Sequence, residues 1–153
     1  MSTKDELLSH LKEAKDAWTS GEILAADLTI SRNAVRKQIR FLKDEGYLID
    51  ASPRKGYLLR KAPDLLLPAE IRDGLKTALL GRERIDYFAV IDSTNVRARM
   101  IADEGAPEGT VVVAETQLKG KGRRGRSWFS PAGQGIYVSA ILRPTIPPAE
   151  APR

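Results

Sequence analysis

The sequence predicts an α+β fold in two parts, a small helical domain with one β-hairpin and a larger domain built on a sheet. Three observations lead to this prediction. Apolar residues recur at helical spacing through residues 3–46, two short apolar runs then flank a basic turn, and helix-like and strand-like segments alternate after residue 65. We place the first domain at residues 1–60, a linker at 61–64 and the second domain at 65–153.

The composition is that of a globular chain, with 42% hydrophobic and 29% charged residues among 153. No cysteine is present, which excludes disulfides and thiolate chemistry, and the single histidine, His10, sits among leucines, so no metal site is predicted. No apolar run reaches the roughly 18 residues of a membrane span, and we expect a cytoplasmic protein with no membrane partner. The net charge of +5 allows an anionic partner without identifying it.

The first domain begins with three predicted helices. The Thr-Lys-Asp-Glu segment at residues 3–6 predicts a capping box in which Thr3 is the N-cap of an amphipathic helix. Ser20 opens a second helix, and after a tight turn Ser31 caps a third helix that ends at Gly46. Two short helices separated by a turn, the second of them strongly basic, are typical of a helix-turn-helix.

The third predicted helix has a cationic face. On a helical wheel its polar side chains span roughly 140°, and the opposite sector contains Val35, Ile39 and Leu42. An isolated charged helix is more often a solvated surface, but the preceding helix and turn favour binding to duplex DNA. The residues of this face that we predict to contact DNA are Arg32, Asn33, Arg36, Lys37, Arg40 and Lys43.

Two short apolar runs follow at residues 47–50 and 56–60, around a turn that contains Arg54 and Lys55. The pattern predicts a β-hairpin with a basic tip, which is the wing of a winged helix-turn-helix. We expect Arg54 and Lys55 to contact the phosphate backbone, where contacts position a domain without reading the base sequence.

The second domain alternates helices and strands. A helix with Pro68 in its first turn is predicted to end near Gly81. Strands are predicted at residues 85–91, 110–114 and 135–142, and a helix is predicted to start with Asp92-Ser93-Thr94-Asn95 and to end at Gly105.

A basic loop is predicted between the second and third of these strands, at residues 117–131. Five cations fall between Lys119 and Arg126, interleaved with three glycines. Glycine permits positive φ, so consecutive amides can form a concave anion site, and cations can offset charge that develops on a phosphate. A basic run is more often a solvated surface or a nucleic-acid patch, and no P-loop sequence G-x-x-x-x-G-K-[ST] is present.

The string GKGRRGRSWFSP at residues 120–131 resembles the G-R-G-R-x-G…W-x-S-P signature of biotin protein ligases. The helix-turn-helix, the Val-Ile-Asp-Ser-Thr-Asn segment at 90–95 and this string occur in the order and rough spacing of the bifunctional biotin ligase/biotin operon repressors. The resemblance covers nearly the whole chain. It implies a winged helix-turn-helix followed by the first part of an α/β biotin/lipoate-ligase-type catalytic domain with a mixed sheet.

The resemblance implies an enzyme that activates biotin with ATP, with Mg²⁺ expected, to biotinyl-5′-adenylate and transfers biotin to a lysine of a biotin carboxyl carrier protein. It also implies a ligand-dependent homodimer that binds operator DNA and represses biotin synthesis genes. Arg123 is then the catalytic candidate. The residues expected to bind biotin or the adenylate are Ser93, Thr94, Asn95, Gln117, Gly120, Lys121, Gly122, Arg123 and Trp128. For Ser93 and Asn95 the alternative is simple helix N-capping.

Two departures from the family pattern bear on these expectations. Lys121 stands where the family has its first motif arginine, so the charge is kept but the planar fork is lost. The family's K-W-P-N-D segment, with its ligand-contacting lysine, is expected after the third strand, and the chain stops at Arg153 before it. We therefore expect residues 65–153 to be an incomplete catalytic domain that is poorly stable and catalyses poorly by itself.

Two other functions stay open on the sequence. A non-catalytic winged-helix transcriptional regulator with a ligase remnant would account for the missing lysine segment. A lipoate ligase would share the general fold, but the chain has no R-R-x-S-G-G-G run with an accompanying histidine.

Overall fold

A computed structural model describes residues 2–122, 124 and 126–146. The chain divides between Asp64 and Leu65 into two compact units, which we call the N-terminal unit and the C-terminal unit. Within the described ranges, none of the helices combines the length and apolar character that crossing a membrane requires.

The N-terminal unit contains three helices and one hairpin. They are α1 (Thr3–Glu13), α2 (Gly21–Asp27), α3 (Arg32–Asp44), β1 (Leu48–Ser52) and β2 (Gly56–Lys61). The predicted start of α2 at Ser20 and the predicted cap of α3 at Ser31 are confirmed, because both serine hydroxyls accept hydrogen bonds from backbone amides of the first turn. Strand β2 extends to Lys61, which is the first residue of the predicted linker.

The predicted N-cap of α1 is wrong by one residue. Ser2, rather than Thr3, is the N-cap, and its hydroxyl accepts a hydrogen bond from the Asp5 amide at 3.2 Å. The Asp5 carboxylate in turn accepts from the Ser2 amide at 3.3 Å. The capping box therefore exists, but Asp5 rather than Glu6 occupies its third helical position.

The core of the N-terminal unit is formed by the apolar faces of the three helices and the inner face of the hairpin. Val35, Ile39 and Leu42 are buried, as the helical wheel of α3 predicts. They share the core with Leu7, Leu8, Leu11, Leu24, Tyr47, Ile49 and Leu58. The opposite face of α3 is therefore the face left to solvent.

The hairpin is fixed to the loop between α1 and α2. The Thr19 amide donates to the Tyr57 carbonyl at 2.8 Å, and the Tyr57 amide donates to the Thr19 carbonyl at 2.9 Å. Thr19 thus pairs with β2 as a one-residue third strand. This reciprocal pair holds the basic tip of the wing in a fixed position in the unit.

The C-terminal unit contains two helices and five strands within its described residues. They are α4 (Pro68–Asp73), β3 (Ile85–Phe88), α5 (Thr94–Asp103), β4 (Val111–Ala114), β5 (Gln117–Lys121), β6 (Ser127–Ser130) and β7 (Tyr137–Ala140). The sheet order is β3-β4-β7, with β3 parallel and β7 antiparallel to β4, so the sheet is mixed as expected. Strands β5 and β6 form a separate antiparallel hairpin.

The central strand β4 is buried on both faces, because successive side chains point to opposite sides of the sheet. On one face Val112 packs with Ala98 and Ile101 of α5. On the other face Val111 and Val113 pack against the segment that contains α4. Helix α5 is thereby fixed on the sheet with its N-terminus at the carboxyl end of β3 and β4.

Arg143 holds the opposite end of α5. Its guanidinium donates to the carbonyls of Ala102 at 3.0 Å and Ala106 at 2.9 Å, close to the helix C-terminus. A cation at this end also interacts favourably with the helix dipole. The chain that leaves the sheet after β7 is in this way connected to the helix that begins at Thr94.

Two predicted elements of the C-terminal unit are wrong. Helix α4 ends at Asp73 with Gly74 as its C-cap, and Gly81 lies in a later turn with φ of 71°. The predicted loop at 117–131 is largely the hairpin β5–β6. Gly120 and Gly122 do not have positive φ, so a left-handed backbone is not the reason for these two glycines, whereas Gly125 lies outside the described residues.

Candidate functional site

A cavity of about 710 Å³ opens in the C-terminal unit beside the start of α5, the hairpin β5–β6 and strand β7. The predicted site residues that line it are Ser93, Thr94, Asn95, Gln117, Lys121, Gly122 and Trp128. Gly120 is buried in the hairpin and does not line the cavity, and Arg123 lies outside the described residues. The structure therefore brings together residues from two predicted segments that are more than 20 positions apart in sequence.

Gln117 connects the hairpin to the N-terminus of α5. Its Oε1 accepts hydrogen bonds from the Thr94 amide at 2.9 Å and from the Thr94 hydroxyl at 3.1 Å. The Gln117 Nε2 donates to the Ser130 hydroxyl at 3.2 Å, across the hairpin. The Thr94 N–H has no acceptor within α5, and it is therefore paired with the Gln117 side chain rather than with the side chain of the N-cap residue.

The sequence analysis gave no site role to several residues of the cavity region, among them Ser130, Tyr137 and Ser139. Ser130 belongs to the W-x-S-P string but received no role, and it is 3% exposed. The Ser139 hydroxyl donates to the Thr94 hydroxyl at 3.0 Å, and the Tyr137 hydroxyl donates to the Pro131 carbonyl at 2.9 Å. The signal that could have found Ser139 and Tyr137 is their two-residue spacing on a strand, which places both on one face of the sheet.

The capping alternative for Ser93 is wrong. Ser93 occupies the N-cap position of α5, but its side chain makes no capping hydrogen bond, although the residue is only 3% exposed. Asn95 is the second residue of α5, beyond the N-cap position, and its side chain is exposed. The Ser93 hydroxyl is thus not used for capping, and it contributes to the lining of the cavity.

Three of the described cations of the hairpin fall into two groups. Lys119 forms an ion pair with Asp92, with Nζ and Oδ2 2.9 Å apart, and the hydrogen bond and charge of this carboxylate raise the pKa of Lys119. This pair joins the base of the hairpin to the loop before α5. Lys121 and Arg126 instead line the cavity, and none of its described lining residues is a carboxylate. The cavity therefore favours an anionic group near the hairpin tip.

The other wall of the cavity is apolar. Trp128, Ile136 and Val138 contribute to the lining, and their side chains are 63%, 73% and 54% exposed. Exposed apolar side chains at the edge of a polar cavity are typical of a ligand site rather than of an ordinary surface. The arrangement suits a small molecule with a polar head, an apolar body and an acidic end.

A second candidate surface lies in the N-terminal unit. All six predicted DNA-contacting residues of α3 are exposed, as are Arg54 and Lys55 at the tip of the hairpin. Arg32, Arg36 and Arg54 border one groove of about 460 Å³, so the third helix and the wing form a shared cationic surface.

Two lysines of this surface lie over aromatic rings. The Lys37 Nζ is 5.7 Å from the centre of the Phe41 ring, and the Lys55 Nζ is 5.7 Å from that of Trp18. Such contacts restrict the long side chains without neutralising their charge. The positive charge of the surface is therefore kept while the lysines are held close to the unit.

Two protein-family models match the chain, one in each unit. A model described as an HTH domain matches residues 3–58, and a model described as the biotin/lipoate A/B protein ligase family matches residues 87–153. Fold and site together define a helix-turn-helix protein that carries a biotin/lipoate-ligase-type domain.

Curated relatives identify the family more closely. The chain is 43% identical over 150 residues to the bifunctional ligase/repressor BirA of Bacillus subtilis (strain 168), covering 98% of this chain and 46% of that protein. It is 38% identical over 141 residues to the protein of the same name from Escherichia coli (strain K12), covering 90% and 41%. A biotin–[acetyl-CoA-carboxylase] ligase of Mycobacterium tuberculosis is 37% identical over 82 residues, covering 53% and 31%.

The chain belongs to the family of the bifunctional ligase/repressors, over the N-terminal helix-turn-helix and part of the ligase domain. It spans less than half the length of the curated relatives it matches.

Proposed function

We propose that this protein is a biotin protein ligase that also represses transcription by binding DNA, and that biotin binds in the cavity of the C-terminal unit. The observation that carries the proposal is the composition of the cavity wall. Hydrogen-bonding groups of Thr94 and Gln117 lie at its interior, an apolar side chain of Trp128 lies beside them, and Lys121 and Arg126 supply positive charge.

Each part of this wall fits a part of biotin. Biotin's ureido group needs hydrogen-bond partners, which Ser93, Thr94 and Gln117 can supply. Its ring and alkyl chain have apolar surface to bury, and its carboxylate favours neighbouring cations. In the proposed reaction that carboxylate attacks the α-phosphate of ATP and pyrophosphate leaves, so Lys121 and Arg126 would offset the charge that builds up. Arg123 is the further cation proposed for this step, by resemblance.

ATP and a carrier-protein lysine complete the proposed reaction, and Mg²⁺ is expected to accompany ATP. Among the described residues no group of three histidine or acidic side chains is placed to hold a metal ion. We therefore assign no protein ligand to Mg²⁺. A homodimer that forms when the adenylate binds, and a location in the cytoplasm, are part of the same proposal.

Biotin binding is tested by calorimetry on the 153-residue chain with Thr94 changed to valine. This change preserves the side-chain shape but removes the hydroxyl that bonds Gln117 and Ser139. We expect the affinity for biotin to fall about tenfold, because buried polar partners lose their hydrogen bonds. Thr145→Val, which makes the same change at an exposed position, is the control and should leave the affinity unchanged. Absence of biotin binding by the unaltered chain would refute the proposed ligand.

For the N-terminal unit we propose operator DNA as the partner, and the support is the surface that α3 shares with the wing. Affinity for a duplex should fall with salt, with a log–log slope near −0.9 for each phosphate neutralised. Arg54→Ala should weaken binding to all sequences alike and reduce that slope by about one phosphate contact. Arg36→Ala should instead alter the preference among sequences, because Arg36 lies on the face of α3 that we propose to enter the major groove of DNA.

The control for this DNA experiment is Lys76→Ala, which removes one positive charge from an exposed residue of the C-terminal unit. Fluorescence anisotropy of a labelled duplex over a series of salt concentrations measures both affinity and slope. If Lys76→Ala and Arg54→Ala reduce the slope equally, the net charge rather than the wing is responsible, and the proposed surface is wrong.

A further inference from the structure

The hydrogen bonds around Gln117 have a fixed direction. A backbone N–H can only donate, so the Gln117 atom 2.9 Å from the Thr94 amide must be the carbonyl oxygen. The Thr94 hydroxyl also donates to this oxygen and therefore accepts from Ser139. The other Gln117 atom is then the amide nitrogen, which donates to Ser130, and Ser130 donates onward to the Trp128 carbonyl at 3.3 Å.

This direction determines what Gln117 can offer to a ligand. Its oxygen already accepts two hydrogen bonds, and one of its two N–H groups is used by Ser130. The group left for the cavity is the second N–H, so Gln117 can act there as a donor. A ligand atom that meets it must be an acceptor, such as the carbonyl oxygen of a urea.

Ser130 has no other evident reason to be a serine. It is 3% exposed on β6, and among the described residues its hydroxyl forms hydrogen bonds with Gln117 and the Trp128 carbonyl. Burying a hydroxyl is costly unless it is paired, so an alanine would serve equally well if only packing mattered. Ser130 instead provides an acceptor for the Gln117 Nε2, while the Gln117 Oε1 is paired with Thr94.

We propose that Ser130 is a positioning residue that holds the Gln117 amide in the orientation set by the Thr94 N–H, and that Ser139 holds the Thr94 hydroxyl in the orientation that donates to Gln117. The pair of serines thereby keeps the site ready to receive a hydrogen-bond acceptor at Gln117. The inference rests on the proposed function only for the identity of the ligand, biotin. The orientation itself is a property of the ligand-free protein.

The test is a double-mutant cycle in the 153-residue chain, with biotin affinity measured by calorimetry. Ser130→Ala should weaken biotin binding about fivefold in the otherwise unaltered chain, the effect of one lost hydrogen bond. In a chain that already carries Gln117→Ala it should have no further effect, because Ser130 acts through Gln117. An equal loss in both backgrounds would mean that Ser130 only supports the hairpin, and the proposal would be overturned.

A second measurement keeps the proposal independent of biotin. In ¹⁵N-labelled, ligand-free protein, Ser130→Ala should speed the hydrogen exchange of the Gln117 side-chain amide, while backbone amides of β5 and β6 keep their protection. If the unaltered chain does not bind biotin, the proposed ligand fails but this comparison still decides the positioning role. Unchanged exchange at the Gln117 side chain would refute it.

Discussion

Replacing Gly56 by alanine is expected to abolish duplex-DNA binding and to destabilise the N-terminal unit by about 2–5 kcal/mol. Gly56 has φ of 95°, a conformation that costs any other residue strain. A Cβ at this position would lie 2.0 Å from the Thr19 carbonyl oxygen, which is backbone and cannot move aside cheaply. The reciprocal pair between Thr19 and Tyr57 should therefore break, and the wing with Arg54 and Lys55 should lose its fixed position.

The matched control is Gly46→Ala in the same unit. Gly46 has nearly the same φ, 97°, but its added Cβ would meet only the Pro63 side chain, at 3.3 Å. Comparison of the two variants separates backbone strain from the overlap with Thr19. Hydrogen exchange at the Thr19 and Tyr57 amides is the local readout. Protection that survives in Gly56→Ala, together with unaltered DNA affinity, would contradict the role given to the wing.

Replacing Gly120 by alanine is expected to reduce the affinity for biotin by on the order of thirtyfold or more, the equivalent of about 2 kcal/mol. Gly120 pairs with Trp128 across the hairpin, and a Cβ there would lie 2.6 Å from the Trp128 carbonyl and 2.8 Å from the Ser130 hydroxyl. The hairpin must then open at the position where Ser130 holds Gln117. The expected loss is larger than for Ser130→Ala because strand pairing is disturbed as well.

Gly74→Ala is the control for this variant, since it makes the same change in the same unit with no atom within 4 Å of the new Cβ. Calorimetry with biotin compares the two proteins, and circular dichroism reports whether each remains folded. Equal affinities in Gly120→Ala and the unaltered chain would show that the close approach of the strands is not needed for the site.

The features that the sequence predicted well depend on local interactions. Ser20 and Ser31 cap their helices through amides only two or three residues away, and Gly46 ends α3 with positive φ. The buried side of α3 follows directly from its 3.6-residue period. Such features can be predicted from a short stretch of sequence, without knowledge of the rest of the chain.

The features that it missed depend on contacts between distant segments. The sequence predicts a loop where the hairpin β5–β6 lies, because glycines and cations hide the strand alternation, and close approach rather than positive φ explains Gly120. The sequence predicts a helix that reaches Gly81, because Leu75, Leu79 and Leu80 continue an apolar pattern beyond Gly74. The bonds of Gln117 to Thr94 and Ser130 join residues that only the folded sheet brings together.

Biotin binding in the cavity is tested most directly by an NMR titration of the ¹⁵N-labelled 153-residue chain with biotin. We predict saturable shifts at the Thr94, Gln117 and Ser139 backbone amides and at the Gln117 side-chain amide, which all belong to the hydrogen-bonded wall of the cavity. The amides of α3 in the N-terminal unit should not shift at the first additions. An absence of shifts at Thr94 and Gln117 up to millimolar biotin, or shifts that begin in α3 instead, would contradict this prediction.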